Sequence, residues 1–361
     1  MHDGADAPKR VPVAALAGFV AAVFAKLGVS AEGARATADA LVAADLEGVP
    51  SHGVMLVPMY VERMRAGSVS RAEAAAIVHD RGAAVTLDAG NALGQLTSHQ
   101  AVRLVVERAR VHGLAAVAVR NGFHFGAAGY WARRVAAGGL IGIAMCNTRP
   151  LMPAPGGAER LVGNNPLAIA LPAAGGPPLV VDMALSASAM GRIRLAESAG
   201  EPIPEGWAVD AAGRPTTDPA AAISGMLLPA AGPKGFGLAV AIDLLCGGLA
   251  AGAIGGEVQP LYGDPAKPYA CAHLFVAIDP ARFGVDAALA RRVGAFADRI
   301  RASKRAPGTA RVYAPGDVEL ERRAANGDAC PVAADVAAKL IACGAGLGVT
   351  SAELALIAGP S

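Results

Sequence analysis

The sequence predicts an α+β fold with helical ends, and three observations predict it. Three helix-patterned segments precede any strand signal, strand and helix patterns alternate from residue 83 onward, and two further helix patterns follow the last strand. The chain has 361 residues and is 53% hydrophobic, enough for a large buried core and for roughly two or three domains.

In chain order, residues 11–27 read as an amphipathic helix ended at Gly28, with Ser30 as N-cap of a second helix carrying Glu32 and Gly33 in its first turn. Lys9-Arg10 ahead of an apolar run also resembles a signal peptide, but the continuing helical pattern and the lack of a small-residue cleavage site favour the helix. Residues 41–46 run into Glu47-Gly48-Val49-Pro50, where the proline disfavours a helical residue before it, so Ser51-His52 falls in a corner between helices. Residues 53–65 predict a third helix, closed by Gly67. Then come a strand over 83–88, a helix over 95–112 capped by Gly113, and a strand over 114–120.

A helix over 127–137 stops at Gly138-Gly139, and the apolar strand 140–146 delivers Asn147-Thr148 at its end. Strands over 167–171 and 179–182 flank a Pro/Gly-rich turn. Pro202, Pro204, Pro215 and Pro219 make residues 201–233 loop-rich, which is a mark of function or of a surface excursion. Residues 234–248 read as a glycine-rich helix. The stretch 236–256 is long enough to cross a bilayer, yet Asp243 and six glycines favour a buried core helix. A strand over 273–279, a helix over 285–301, a short strand over 311–314 ending in Pro315-Gly316-Asp317, and two helices complete the chain.

A formal net charge of +2, from 32 basic and 30 acidic residues, gives no footprint for nucleic acid. The five cysteines are scattered without a C-x-x-C pair, which indicates neither a zinc site nor a disulfide framework and points to the reducing cytoplasm. No histidine spacing suits a metal, so none is expected. The Rossmann, P-loop and G-x-S-x-G fingerprints are all missing from the sequence, which leaves a nucleophilic hydrolase without support.

Two histidines stand in small-residue loops, and imidazole is the side chain whose ordinary pKa, about 6.5, suits proton transfer near neutral pH. His52 lies between Ser51 and Gly53, where it either caps the next helix or exchanges protons. His124 lies in Asn121-Gly122-Phe123-His124-Phe125-Gly126, whose glycines admit a ligand and whose phenylalanines exclude water; bridging a strand end to a helix start is its structural alternative. Asn164 and Asn165 either cap strands or bind a ligand. Asp182 to Ser186 emerge from a strand, with Ser186 equally an N-cap. Lys234, at a helix start, is placed to meet a phosphate.

Taken in order, Asp45-Leu46-x-Gly48-x-x-Ser51-His52-Gly53-Val54, Asn121-x-x-His124-Phe125-Gly126-Ala127-Ala128-Gly129-Tyr130, Asn147-Thr148, Gly163-x-Asn165-Pro166, Asp182-Met183-Ala184-x-Ser186, Ile203-Pro204-Glu205-Gly206-Trp207, Lys234-Gly235-x-Gly237-Leu238 and Pro315-Gly316-Asp317 resemble the malate/L-lactate dehydrogenase family. That non-Rossmann group also holds ureidoglycolate and sulfolactate dehydrogenases, diketogulonate reductase and cyclic-imine carboxylate reductases. The resemblance covers nearly the whole chain. It implies a mixed-sheet cofactor and substrate domain over 79–303 and a helical domain built from both chain ends, 1–78 plus 304–361. It also implies a homodimer, with no membrane or nucleic-acid partner, that uses NAD or NADP on a small-molecule 2-hydroxy or 2-oxo acid.

By position, the resemblance makes His124 and His52, with Ser51 beside them, the proton-exchanging residues. It gives Asn147, Thr148, Asp182, Met183, Ala184, Ser186, Lys234, Pro315, Gly316 and Asp317 to the dinucleotide, and Asn165 and position 56 to the substrate. Relatives commonly carry arginine at position 56 to grip the substrate carboxylate, whereas this chain has Leu56, which cannot form a charge-assisted pair. Asn164 and Leu185 also stand where threonine is usual. Three readings follow: 2-hydroxy acid dehydrogenase, cyclic-imine carboxylate reductase, and a nucleotide-binding relative without turnover.

Overall fold

The computed structural model describes residues 8–349. Residues 1–7 with His2, and residues 350–361, all expected in the helical domain, lie outside the described residues. The chain opens with β1 (Lys9–Pro12), α1 (Val13–Lys26), α2 (Ala31–Leu46) and α3 (Val57–Ala66). It continues through β2 (Ala76–Arg81), β3 (Ala84–Asp88), α4 (Gly94–His112), β4 (Leu114–Gly122), α5 (Ala128–Ala136), β5 (Ile141–Cys146), β6 (Leu167–Leu171), β7 (Leu179–Met183) and α6 (Met190–Ala199). The remainder is β8 (Ala208–Val209), β9 (Pro215–Thr216), α7 (Pro219–Ser224), β10 (Met226–Leu227), α8 (Pro233–Asp243), β11 (Cys271–Ile278), α9 (Asp286–Arg301), α10 (Asp317–Asn326), β12 (Ala329–Val332) and α11 (Ala334–Ala345).

The main sheet has seven strands in the order β2-β3-β4-β11-β5-β6-β7. β3 and β4 run parallel, joined by the α4 crossover, and every other neighbouring pair is antiparallel. The late strand β11 thus lies at the sheet's centre, and its residues read as a nearly continuous buried run. Val105, Trp131 and Val135 of α4 and α5 close one face with Val117 and Phe275. On the other face, Ile193, Ala222, Ala239 and Ile242 pack over Ala118 and Leu274.

A third core joins both chain ends, as Leu16, Phe24, Leu41 and Tyr60 pack with Cys330, Val332 and Leu340. Each large side chain buried there is worth about 1.5–3 kcal/mol. β1 pairs antiparallel with β12, which explains why α1 starts at Val13 instead of residue 11. Glu47, 6% exposed at the end of α2, clamps this unit to the sheet. Its carboxylate accepts from Arg133 of α5 at 2.7 Å and from Arg323 of α10 at 3.4 Å.

The structure departs from the sequence reading in several places. β2 and β12 are additional strands, residues 311–314 form none, and residues 201–233 contain α7 and a small sheet ordered β10-β8-β9. Pro50–His52 and Val54–Leu56 close as 3-10 turns, which delays α3 to Val57, with Pro58 in the first turn where no N–H is needed. The expected buried helix over 236–256 instead ends at Asp243 and passes into a π turn, Leu244–Gly248. One side of it leaves Leu238, Leu244, Leu245 and Leu249 exposed. Among the described residues, no helix is long and apolar enough to cross a membrane.

Candidate active site

The corner after α2 carries His52, and a buried carboxylate fixes its path. Asp45, 4% exposed, accepts the Val54 N–H at 2.7 Å. A Cβ on Gly53 would lie 2.3 Å from that carboxyl group, so only glycine fits. Burial raises the Asp45 pKa to about 7 despite the opposing Val54 hydrogen bond. Ser51 Oγ lies 3.0 Å from His52 Nδ1, and burial lowers the pKa of this imidazole.

The second wall begins where β4 ends. Asn121 takes a left-handed backbone at φ 51°, as Asn91 does nearby at 58°, and donates from Nδ2 to the Asp88 carboxylate at 3.0 and 3.1 Å. The loop then presses on the start of α4, where a Cβ on Gly94 would lie 2.2 Å from the Phe123 carbonyl oxygen. Phe123 and Phe125 are each 1% exposed. Between them His124 places Nδ1 2.7 Å from the Tyr60 hydroxyl, which also lies 3.2 Å from the His124 carbonyl oxygen and accepts from Gln95 Nε2 at 3.2 Å.

The two imidazoles meet. Their ring centroids are 5.5 Å apart and tilted by 30°. In both rings Nδ1 is engaged, by Ser51 and by Tyr60, which leaves Nε2 as the ring nitrogen without a hydrogen bond among the described residues. Burial, with His52 and His273 nearby, holds His124 well below the ordinary histidine pKa, so it is neutral at pH 7. The sequence reading missed Tyr60 and Gln95, since each sits at an ordinary helix position with nothing local to mark its polar end. His273 was passed over too: it is fully buried, stacks on Phe125 at 4.5 Å, and has a pKa lowered to about 3 by burial.

A second group of expected residues gathers at the ends of β5 and β7. Thr148 donates its N–H to Asn165 Oδ1 at 2.9 Å, and its hydroxyl meets Asn164 Oδ1 at 3.0 Å. Asp182, Met183 and Ala184 are exposed, with Asp182 Oδ2 accepting the Gly129 N–H at 2.8 Å. Gly316, at φ 92°, stands where a Cβ would lie 3.2 Å from Val180 of β7, and the Pro315 carbonyl accepts the Val180 N–H at 3.1 Å. Ser186 bridges Pro229, which leads the chain to Lys234 in the first turn of α8. Lys234 is exposed there without a hydrogen bond or ion pair among the described residues. An accessible strand end, an unengaged cation and a helix N-terminus together fit a dinucleotide.

Some expected contacts need correcting. Asn147 is fully buried, donates to Asp243 and Ala253 at 2.9 and 2.8 Å, and accepts from Ala272 at 2.7 Å. Asn165, also fully buried, is bound to Thr148 and to the Ala239 carbonyl. Both side chains frame the site and leave little for a ligand. Asp317 is 8% exposed and occupied by a bidentate pair with Arg301. Ser186 Oγ donates to the Ser188 carbonyl. Leu56, 1% exposed, packs in the core shared by both chain ends, so it offers the substrate no surface.

Comparison with known proteins follows the same lines. The sequence model of the malate/L-lactate dehydrogenase family matches residues 11–341. A (2R)-3-sulfolactate dehydrogenase (NADP(+)) of Chromohalobacter salexigens is 41% identical over 71% of this chain and 77% of its own length. The structure of sulfolactate dehydrogenase from Methanocaldococcus jannaschii superposes with a TM-score of 0.90 at 34% identity, covering 95% of this chain and 98% of the other. Delta1-piperideine-2-carboxylate reductase from Pseudomonas syringae pvar. tomato superposes with a TM-score of 0.82 at 30% identity, covering 93% and 99%.

Proposed function

The chain belongs to the malate/L-lactate dehydrogenase family, and from that premise we propose that His124 is the acid/base of an NAD(P)-dependent 2-hydroxy acid dehydrogenase. The observation that carries this reading is the pair of half-buried imidazoles, 5.5 Å apart with both Nδ1 atoms engaged. When bound, nicotinamide supplies the hydride acceptor or donor. Thr148, Asp182, Met183, Ala184, Lys234 and Gly316 are the residues proposed to hold the dinucleotide.

Neutral His124 accepts the hydroxyl proton at Nε2 during oxidation, and the imidazolium returns it during reduction. The Tyr60 hydroxyl fixes the productive tautomer: it accepts from Nδ1–H and donates to the His124 carbonyl, which leaves Nε2 bare to take the proton. His52, oriented by Ser51, faces the same space and orients the reacting oxygen. Its nearness also disfavours a second positive charge, so one imidazole is charged at a time.

We assign residues 79–303 to the cofactor and substrate domain, and 1–78 with 304–361 to the helical domain. The protein is proposed to act in the cytoplasm as a homodimer, whose second copy covers the exposed leucines of α8 and its π turn. The likeness to the piperideine carboxylate reductase, together with Leu56, supports a second reading in which the proton goes to an imine nitrogen. Oxidation of NADH and NADPH against a panel of 2-oxo acids and cyclic imines tests both. Turnover of 2-oxo acids supports the first reading. Amine formed from cyclic imines, with no turnover of 2-oxo acids, supports the second.

A further inference from the structure

Near the imidazoles, the helical wall presents Leu56 and Arg63 among its described residues. Leu56 is apolar, and Arg63, 1% exposed, donates to the carbonyls of Pro260, Leu261 and Lys267. Arg120 and Arg133 are paired with Asp88 and Glu47. Arg149 is different. It directly follows Thr148 at the end of β5, is half-buried, and among the described residues makes no hydrogen bond or ion pair.

Its surroundings are positive. Arg160 is anchored by donating to the Ser224 and Gly225 carbonyls. Arg194 is exposed on α6, whose Ile193 packs in the same apolar cluster as Met152 and Val162. Burial and these two guanidinium groups depress the Arg149 pKa, and the Tyr269 phenol opposes them. A half-buried cation among cations is costly until an anion joins it.

Tyr269, whose phenol bears on the Arg149 charge, begins a short aromatic chain to the imidazole wall. The Tyr269 ring meets Phe123 edge-on at 6.1 Å, Phe123 meets Tyr60 at 4.8 Å, and Tyr60 holds His124. We propose that Arg149 is the specificity-determining residue that takes the substrate's anionic group, supplying from the sheet side the charge that position 56 lacks on the helical side. The proposal rests on the dehydrogenase reading for the location of the substrate. Guanidinium pairs bidentately with carboxylate or sulfonate, and Arg194 adds charge for a second anionic group.

Calorimetric titration of malonate into the protein saturated with NADH or NADPH tests it without turnover. In Arg149→Gln, malonate affinity is expected to fall roughly 10- to 150-fold, the scale of a charge-assisted contact. Arg149→Lys should recover part of the loss, and NAD(P)H affinity and the thermal unfolding midpoint should stay unchanged in both. Three results overturn the proposal: no malonate affinity in the unsubstituted protein, equal affinity in Arg149→Gln, or a comparable loss of NAD(P)H affinity, which would put Arg149 on the cofactor's phosphates. Failure of the whole substrate panel would sink the dehydrogenase reading, whereas a malonate loss specific to Arg149→Gln would still stand as a direct measurement of the anion site.

Discussion

His52 and His124 are the same side chain on facing walls, held in different ways. The His52 corner is fixed mainly through its backbone, by Asp45 receiving the Val54 N–H and by Gly53 lying against that carboxyl group. Its ring has a single serine hydroxyl at Nδ1. The His124 loop is fixed through side chains: two buried phenylalanines flank the ring, and a phenol backed by a buried glutamine holds Nδ1. Both hydroxyls can accept from Nδ1–H, but that of Tyr60 is itself held by Gln95 and by the His124 carbonyl, which fixes the ring's tautomer while Nε2 gains and loses a proton. The contrast supports the proposed roles, proton exchange for His124 and orientation for His52.

The largest expected effect comes from removing the exchanging group. His124→Gln should lower kcat by about 10²–10⁴ while NAD(P)H affinity is retained, and steady-state kinetics with a fluorescence titration would check both. Gly53→Ala attacks the other wall. Its Cβ must displace the Asp45 carboxyl group, at a cost of about 1–3 kcal/mol in stability, readable by denaturant unfolding. If the midpoint is unchanged, the backbone account of the His52 corner fails.

Tyr60→Phe removes one hydrogen bond at His124 and should cost about tenfold in kcat, with a changed pH profile and little change in KM. An unchanged profile would make Tyr60 a packing residue only. Stability against pH probes the two walls separately, with opposite signs. His273, behind His124, titrates near 6.5 when unfolded and near about 3 when folded. The unfolded chain binds more protons between those values, and stability is lost as pH falls through that window. Asp45 is raised from 3.8 to about 7, so the folded state binds more protons there and stability is lost as pH rises through that window. Thermal melts across pH should accordingly show Asp45→Asn losing less stability than the unsubstituted protein as pH rises toward 7.

Much of this contrast was legible in the sequence. Strand and helix periodicity located β3 to β7 and α4, whereas Gly122, expected to admit a ligand, lies against Cys271 and His273. What stayed hidden depends on residues distant in the chain. Tyr60 and His124 are separated by 64 positions, so no local pattern pairs them. β11 enters the middle of the sheet from late in the sequence, which strand spacing cannot indicate. Asn147 and Asn165 looked like ligand residues because polar side chains at strand ends are ambiguous until their partners are known. Leu56 was noticed for its missing charge, but its burial, and the unengaged Arg149, required the fold.

The most direct test of the central assignment is the pH dependence of kcat for 2-hydroxy acid oxidation, from about pH 5 to about pH 8, in the unsubstituted protein, His124→Gln and His52→Gln. Since His124 must be neutral to accept the proton and its pKa lies below the ordinary value, kcat should hold near pH 7 and fall only at acid pH. That limb should survive in His52→Gln and vanish in His124→Gln. Loss of the limb in His52→Gln, with its retention in His124→Gln, would contradict the account and exchange the roles of the two walls.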